Sequence, residues 1–203
     1  MSTLKTVNLK HESSGSNNIV LDSSGNTTVS GNLTITGAGK VAGSYADTAV
    51  SLGTAATYTF TPGIADDAKI VYLTWDDMSC SAQSWIRLRV GTASAFVTSG
   101  YEGQHGYAAG GSGSMQGQQR TTDIPIPHTN FDLASNVYTG AARFIKHTGN
   151  KWIYHGNSII NGNFTGNFYG NVDVGGALKR FELHMEDNSA VFDAGTINCR
   201  WIS

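Results

Sequence analysis

A period of two governs the sequence from Thr57 to Ile202: short runs alternate apolar with polar residues, and helical spacing never persists beyond a turn or two. Successive side chains of a strand point to opposite faces, so each run predicts a strand with one buried and one wet face. The runs are Thr57–Thr61, Lys69–Trp75, Trp85–Val90, Ala93–Thr98, Ala141–His147, Lys151–His155, Leu178–Met185 and Thr196–Ile202. Within Trp85–Val90, Ile86, Leu88 and Val90 share one face and Arg87 and Arg89 the other. Within the last run, Ile197, Cys199 and Trp201 oppose Asn198 and Arg200. Composition agrees, since 25 glycines stand against 3 prolines and charged residues make up 14% of the chain, below the roughly 25% of an average soluble protein. Many short strands joined by tight turns are expected, in an all-β fold: an antiparallel β-sandwich or jelly roll.

The first forty or so residues read differently. They hold no Trp or Phe, and their brief β-branched runs, Asn17–Leu21, Thr27–Val29 and Asn32–Thr36, are separated by turn clusters such as Asp22-Ser23-Ser24-Gly25-Asn26. Strands this short bury too little apolar surface to offset the entropy of ordering them, so they are expected to be stable only when paired with copies of themselves or with a partner. Residues 1–43 are therefore expected to form an attachment or oligomerisation segment built on Ile19, Val20, Leu21, Val29, Leu33 and Ile35. Residues 44–203 are expected to form the sandwich.

Several classes of function find no support. A net charge of −2 and a pI near 6.3 supply no basic footprint for nucleic acid. No apolar run approaches the roughly 18 residues of a membrane span, and Met1–Lys10 lacks a signal-peptide core, so neither membrane insertion nor export by the usual route is expected. Cys80 and Cys199 are too few and too far apart for a metal cage or disulfide framework and read as buried thiols. Gly110–Gly117 does not match a nucleophile elbow. The six histidines show no metal-ligand spacing, and Asp66-Asp67, Asp76-Asp77 and Glu186-Asp187 read as solvated turns. No enzyme, cofactor or metal is expected.

Two glycine-rich insertions, Gly100–Arg120 and Gly156–Gly176, interrupt the strand pattern. The second repeats an Asn-aromatic-x-Gly step every four residues, as suits an extended hairpin or a long turn. Sugars present apolar C–H faces that lie on aromatic rings, and hydroxyls that pair with amides and carboxylates. On that chemistry Tyr101, Gln104, His105 and Tyr107, with Gln116 and Gln118 near them, are the candidate glycan contacts. Asn167, Phe168, Tyr169 and Phe164 come next. The alternative is that these rings staple their own loops or a subunit interface.

Leu9–Gly31 (LKHESSGSNNIVLDSSGNTTVSG) resembles N-terminal segments of structural proteins of tailed phages, especially those of marine and cyanobacterial hosts. Residues 57–203 resemble a C-terminal domain of phage tail-fibre-like proteins. The matching pieces are Thr59–Ile64 (TFTPGI), Lys69–Trp75, Leu88–Tyr101, Asn150–Gly156 and Leu178–Trp201, which includes Phe192-Asp193-Ala194-Gly195-Thr196-Ile197-Asn198. The resemblance implies a virion β-sandwich made in the host cytoplasm, commonly a homotrimer, without enzymatic activity. It would join other virion proteins through its N-terminal segment and meet a host-surface glycan with the sandwich. Proteins of this family often carry longer shafts, and this chain has almost none. The alternative it leaves is a capsid or tail decoration protein with no receptor role.

Overall fold

The computed structural model describes residues 8–9, 19–21, 23, 27–29, 44–46, 48–109, 116–126, 134–161, 164–187 and 189–203. The chain divides into two compact units, Met1–Val41 and Ala42–Ser203. In the first, β1 (Asn8–Leu9), β2 (Ile19–Leu21) and β3 (Thr27–Val29) pair as an antiparallel three-stranded sheet in that order. Ile19 is half-buried; Leu33 and Ile35 lie outside the described residues, as do the side chains of Val20, Leu21 and Val29.

The second unit is an antiparallel β-sandwich, with thirteen strands among the described residues: β4 (Ser44–Ala46), β5 (Val50–Ser51), β6 (Thr57–Phe60), β7 (Ile70–Cys80), β8 (Ile86–Gly91), β9 (Glu102–Ala109), β10 (Gln116–Arg120), β11 (Ile124–Pro125), β12 (Tyr138–Thr148), β13 (Lys151–Ile160), β14 (Phe164–Asp173), β15 (Arg180–Met185) and β16 (Phe192–Ile202). The large sheet runs β10-β9-β14-β13-β12-β7-β16-β4, with β5 also on β16; the small sheet runs β11-β8-β15-β6. Their inner faces form the core. Val71, Leu73 and Trp75 of β7, Phe144 of β12, and Ile197 and Cys199 of β16 are buried with Leu88 and Val90 of β8 and Phe181 and Leu183 of β15. The rings of Phe144 and Phe181, one from each sheet, stand 5.3 Å apart between centroids. Arg87, Arg89, Asn198 and Arg200 alternate with these core residues as the period of two requires. Cys80 and Cys199 are buried and unbridged, and no helix of the described residues is long and apolar enough to cross a membrane.

Most of each glycine-rich insertion is strand, and of the two alternatives for the second, an extended hairpin or a long turn, the structure has the hairpin. Gly100–Arg120 supplies β9 and β10, and Gly156–Gly176 completes β13 and supplies β14. The four-residue repeat is two pleats long, so on β14 Phe164, Gly166, Phe168 and Gly170 fall on the inner face while Thr165, Asn167, Tyr169 and Asn171 fall on the outer. The inner glycines make room for rings. A Cβ at Gly156 would strike the Phe168 ring, and one at Gly140 would come within 2.8 Å of Trp75 Cζ2. With both strands pared to the backbone, Trp75 of β7 and Phe168 of β14 stack at 6.4 Å across two intervening strands.

Two local expectations change. Asp76-Asp77 is no turn: it is a bulge inside β7, where Asp77 takes a φ of 50° and the facing strand answers with Gly195 at 112°. A Cβ at Gly195 would lie 2.5 Å from Met78 Cα, so glycine is required there. Ala93–Thr98 is not a strand either. It folds back over the end of β8 with a single bridge, Gly91 to Phe96, and Thr92 Oγ1 accepts the backbone N–H groups of Ser94 and Ala95.

Candidate functional site

Burial divides the glycan candidates. Tyr101, His105 and Phe168 are 1%, 3% and 1% exposed, so the expectation that they face a ligand is corrected: they are inner-face residues. Tyr101 Oη accepts the Val90 N–H at 3.0 Å and donates to Val97 O at 3.1 Å, tying β8 to the chain that follows it. Burial first of all raises its pKa well above the ordinary tyrosine value, so it remains a donor. Tyr107 shares that inner face and is half-buried. Gln116 and Gln118 lie on β10 opposite Tyr107 and His105, with side chains outside the described residues.

Gln104, Asn167 and Tyr169 do reach the surface, and the register of the large sheet brings them together. Tyr169 is 58% exposed and its hydroxyl donates to Gln104 Oε1 at 3.2 Å. Cross-strand partners lie on one face about 4.5–5.5 Å apart, so the pairing defines rows across the outer face. One row runs Gln119, Gln104, Tyr169, His155, Arg143, Tyr72, Arg200 over seven strands. The next, two residues along each strand, runs Gly106, Asn167, Asn157, Ala141, Thr74, Asn198. The first row carries long side chains and the second short ones. Arg143 lies over the Tyr72 ring with its guanidinium carbon 5.7 Å from the centroid, and at that end Tyr72, Thr74, Asn198, Arg200, Trp201 and Ile202 enclose a concavity of about 520 Å³.

The chemistry of this face is that of rings beside amides. The Asn157 and Asn167 side chains, directly paired across β13 and β14, are exposed and have no hydrogen-bond partner among the described residues. Each offers one acceptor and two donors in a plane, next to the Tyr169 ring. Arg143 and Arg200 make no ion pair among the described residues. His155, Arg143, Tyr72, Asn157, Thr74 and Asn198 were not singled out by sequence reading. They stand on four strands, of which only β12 and β13 are consecutive, and the register sets them side by side. The signal available was their common phase, the polar half of each alternating run.

The outer face of the small sheet is built otherwise. Arg87, on β8, is fully buried and donates from Nη2 to Glu186 Oε2 at 2.6 Å. Arg120 forks onto Asp123 at 3.2 and 3.3 Å and also reaches Glu186 Oε1, and Arg89 pairs with Glu182 at 3.0 Å. Burial opposes ionisation of Asp123, but the Arg120 hydrogen bonds and charge, with a bond from Thr122, still hold its carboxyl below the ordinary range. Burial, then the neighbouring Arg89, pushes His184 down to about 4. Among the described residues no group of three or more His, Cys, Asp or Glu side chains is placed to hold a metal ion.

Comparison of the chain with protein-family models, with curated proteins and with solved structures gave no match.

Proposed function

We propose that the chain is a virion surface protein of a tailed phage, of the tail-fibre type, which binds host-surface glycan through the outer face of the large sheet. The observation that carries the binding half is the pairing of exposed Tyr169 with Gln104, beside the unpartnered amides of Asn157 and Asn167. A ring and a row of planar amides on a rigid sheet meet the two needs of a sugar, a surface for its C–H face and partners for its hydroxyls, at little cost in ordering. The virion half rests on the resemblance of Leu9–Gly31 and of residues 57–203 to phage structural proteins. On this reading the protein is a binding module without catalytic machinery, seated through its N-terminal unit and assembled as a homotrimer.

A second reading, a decoration protein with no receptor role, has one observation in its favour. Ile153, Ile145, Ile70 and Ile202 lie side by side across four strands of the same outer face. Such a stripe suits contact with another virion subunit. Adsorption separates the two. Labelled protein should bind host cells and lose that binding when Tyr169 and Asn167 are both changed to Ala; binding to virion shells and not to cells would favour decoration.

A further inference from the structure

The outer face of the small sheet holds a second concavity, of about 470 Å³, whose lining includes Arg87, Arg89, Arg120, Glu182, His184 and Glu186. The hydrogen bonds of this cluster leave donors over. Arg87 Nε and Nη1 and Arg89 Nε are buried without an acceptor among the described residues. Arg89 bonds Glu182 through Nη1 alone, and Arg120 uses Nε and Nη2. Arg89 Nη2 and Arg120 Nη1 therefore stand open at the pocket, on side chains about a quarter exposed. Arg87 is sealed from water, and the one hydrogen bond of its side chain among the described residues goes to Glu186.

We infer that this pocket binds a carboxylate-bearing saccharide, the carboxylate taken by Arg89 and Arg120, and the hydroxyls by the surrounding oxygens. Guanidinium N–H groups match a planar carboxylate in geometry and charge. Three carboxylates, Glu182, Glu186 and Asp123, stand among the three arginines, so the cluster has no net positive charge to hold a multiply charged phosphate, and selection rests on the geometry of the two open guanidinium edges. The acids also serve as acceptors: Glu186 is 40% exposed, and Thr57, Thr98 and Thr122 add hydroxyls to the rim. His184, kept neutral by burial and the adjacent arginines, adds no positive charge and can still hydrogen-bond a hydroxyl. Arg87, Arg89, Glu182 and His184 stand on the small sheet and Arg120 ends β10 of the large sheet; Tyr169 and Asn167 are not among the lining residues, and the site does not depend on the role given to their face.

Titration calorimetry of the full chain at neutral pH and low salt, with glucuronate, glucose and inorganic phosphate as probes, tests the inference. Glucuronate should bind, glucose should not, and phosphate should bind at least tenfold more weakly. Arg89→Gln and Arg120→Gln, made separately so that a folding defect in one does not silence the test, should each weaken glucuronate at least tenfold, about 1.4 kcal/mol. His147→Gln, exposed on β12 and outside the pocket lining, should leave it unchanged. Absence of glucuronate binding by the wild type, equal binding of glucose, phosphate binding as tight as glucuronate, or full affinity in both arginine variants would each overturn the proposal. Sensitivity of glucuronate binding to His147→Gln would overturn it also, by moving the ligand out of the pocket.

Discussion

The two sheets put their outward polar side chains to opposite uses. On the small sheet, arginines and carboxylates close on one another: Arg87 is buried, Glu186 is shared by two guanidinium groups, and the face spends its charge internally. On the large sheet the outward side chains are mostly amides and rings held apart by the register, with the Tyr169 to Gln104 and Asn171 to Glu102 hydrogen bonds between them. Both faces arise from the same alternation of residues. What differs is cover: Ala93–Thr98 and Arg120–Asp123 lie beside the small-sheet cluster, and low local dielectric makes each pairing there strong and each loss costly. The large-sheet face stays in water, where a missing partner costs little and a ligand can supply it.

The sharpest probe of this contrast is a pair of neighbours on β14. Phe168→Ala removes a buried ring that stacks on Trp75 and should cost about 3–5 kcal/mol in denaturant unfolding, whereas Tyr169→Ala, one residue on and facing out, should change stability by about 0.5 kcal/mol or less. Similar costs for the two would mean that the inner and outer faces are not as assigned. Next in size, Glu186→Ala strips the buried Arg87 of its partner and should cost about 2–3 kcal/mol. That is below the usual figure for breaking a buried pair because Glu186 is itself partly exposed. Asn157→Ala on the large sheet should be close to neutral by the same assay.

A further expected effect is one of pH. His184 titrates at about 4 in the folded chain and near 6.5 when unfolded. Between those values the unfolded chain takes up a proton that the folded chain refuses, so this group's contribution, complete above pH 6.5, is lost as pH falls towards 4. Asp66 and Asp123, held low by Lys179 and Arg120, lose theirs only as pH falls through and below the ordinary carboxylate range. Stability measured from pH 7 to 4 should thus decline, and His184→Gln should flatten that decline; an unchanged slope would show His184 to be freely protonated.

Much of the sandwich was legible because alternation is a local signal. The faces of Trp85–Val90 and Thr196–Ile202 follow from counting by twos, and Leu88, Val90, Ile197 and Cys199 are buried as that count requires. Strands β9, β10 and β14 were harder to read. On β14 the inner glycines Gly166 and Gly170 alternate with rings, on β9 the inner Gly103 lies against Tyr154, and glycine ordinarily speaks for a turn. The same cause misdirected the site: Tyr101, His105 and Phe168 look like loop aromatics until the strand phase is known, after which their inward direction is fixed. Tyr169 and Asn167 fell on the outward phase. Their companions, His155, Arg143 and Asn157, could not be found without the register, because adjacency across strands is not written in any one segment.

The central claim is that the outer face of the large sheet recognises a glycan. An array of bacterial cell-surface saccharides, probed with the wild type and with a folded variant carrying Asn157→Ala, Asn167→Ala and Tyr169→Ala, tests it most directly. The account predicts selective binding by the wild type that the triple variant loses by at least tenfold; no binding by the wild type, or the same binding by both proteins, would contradict it.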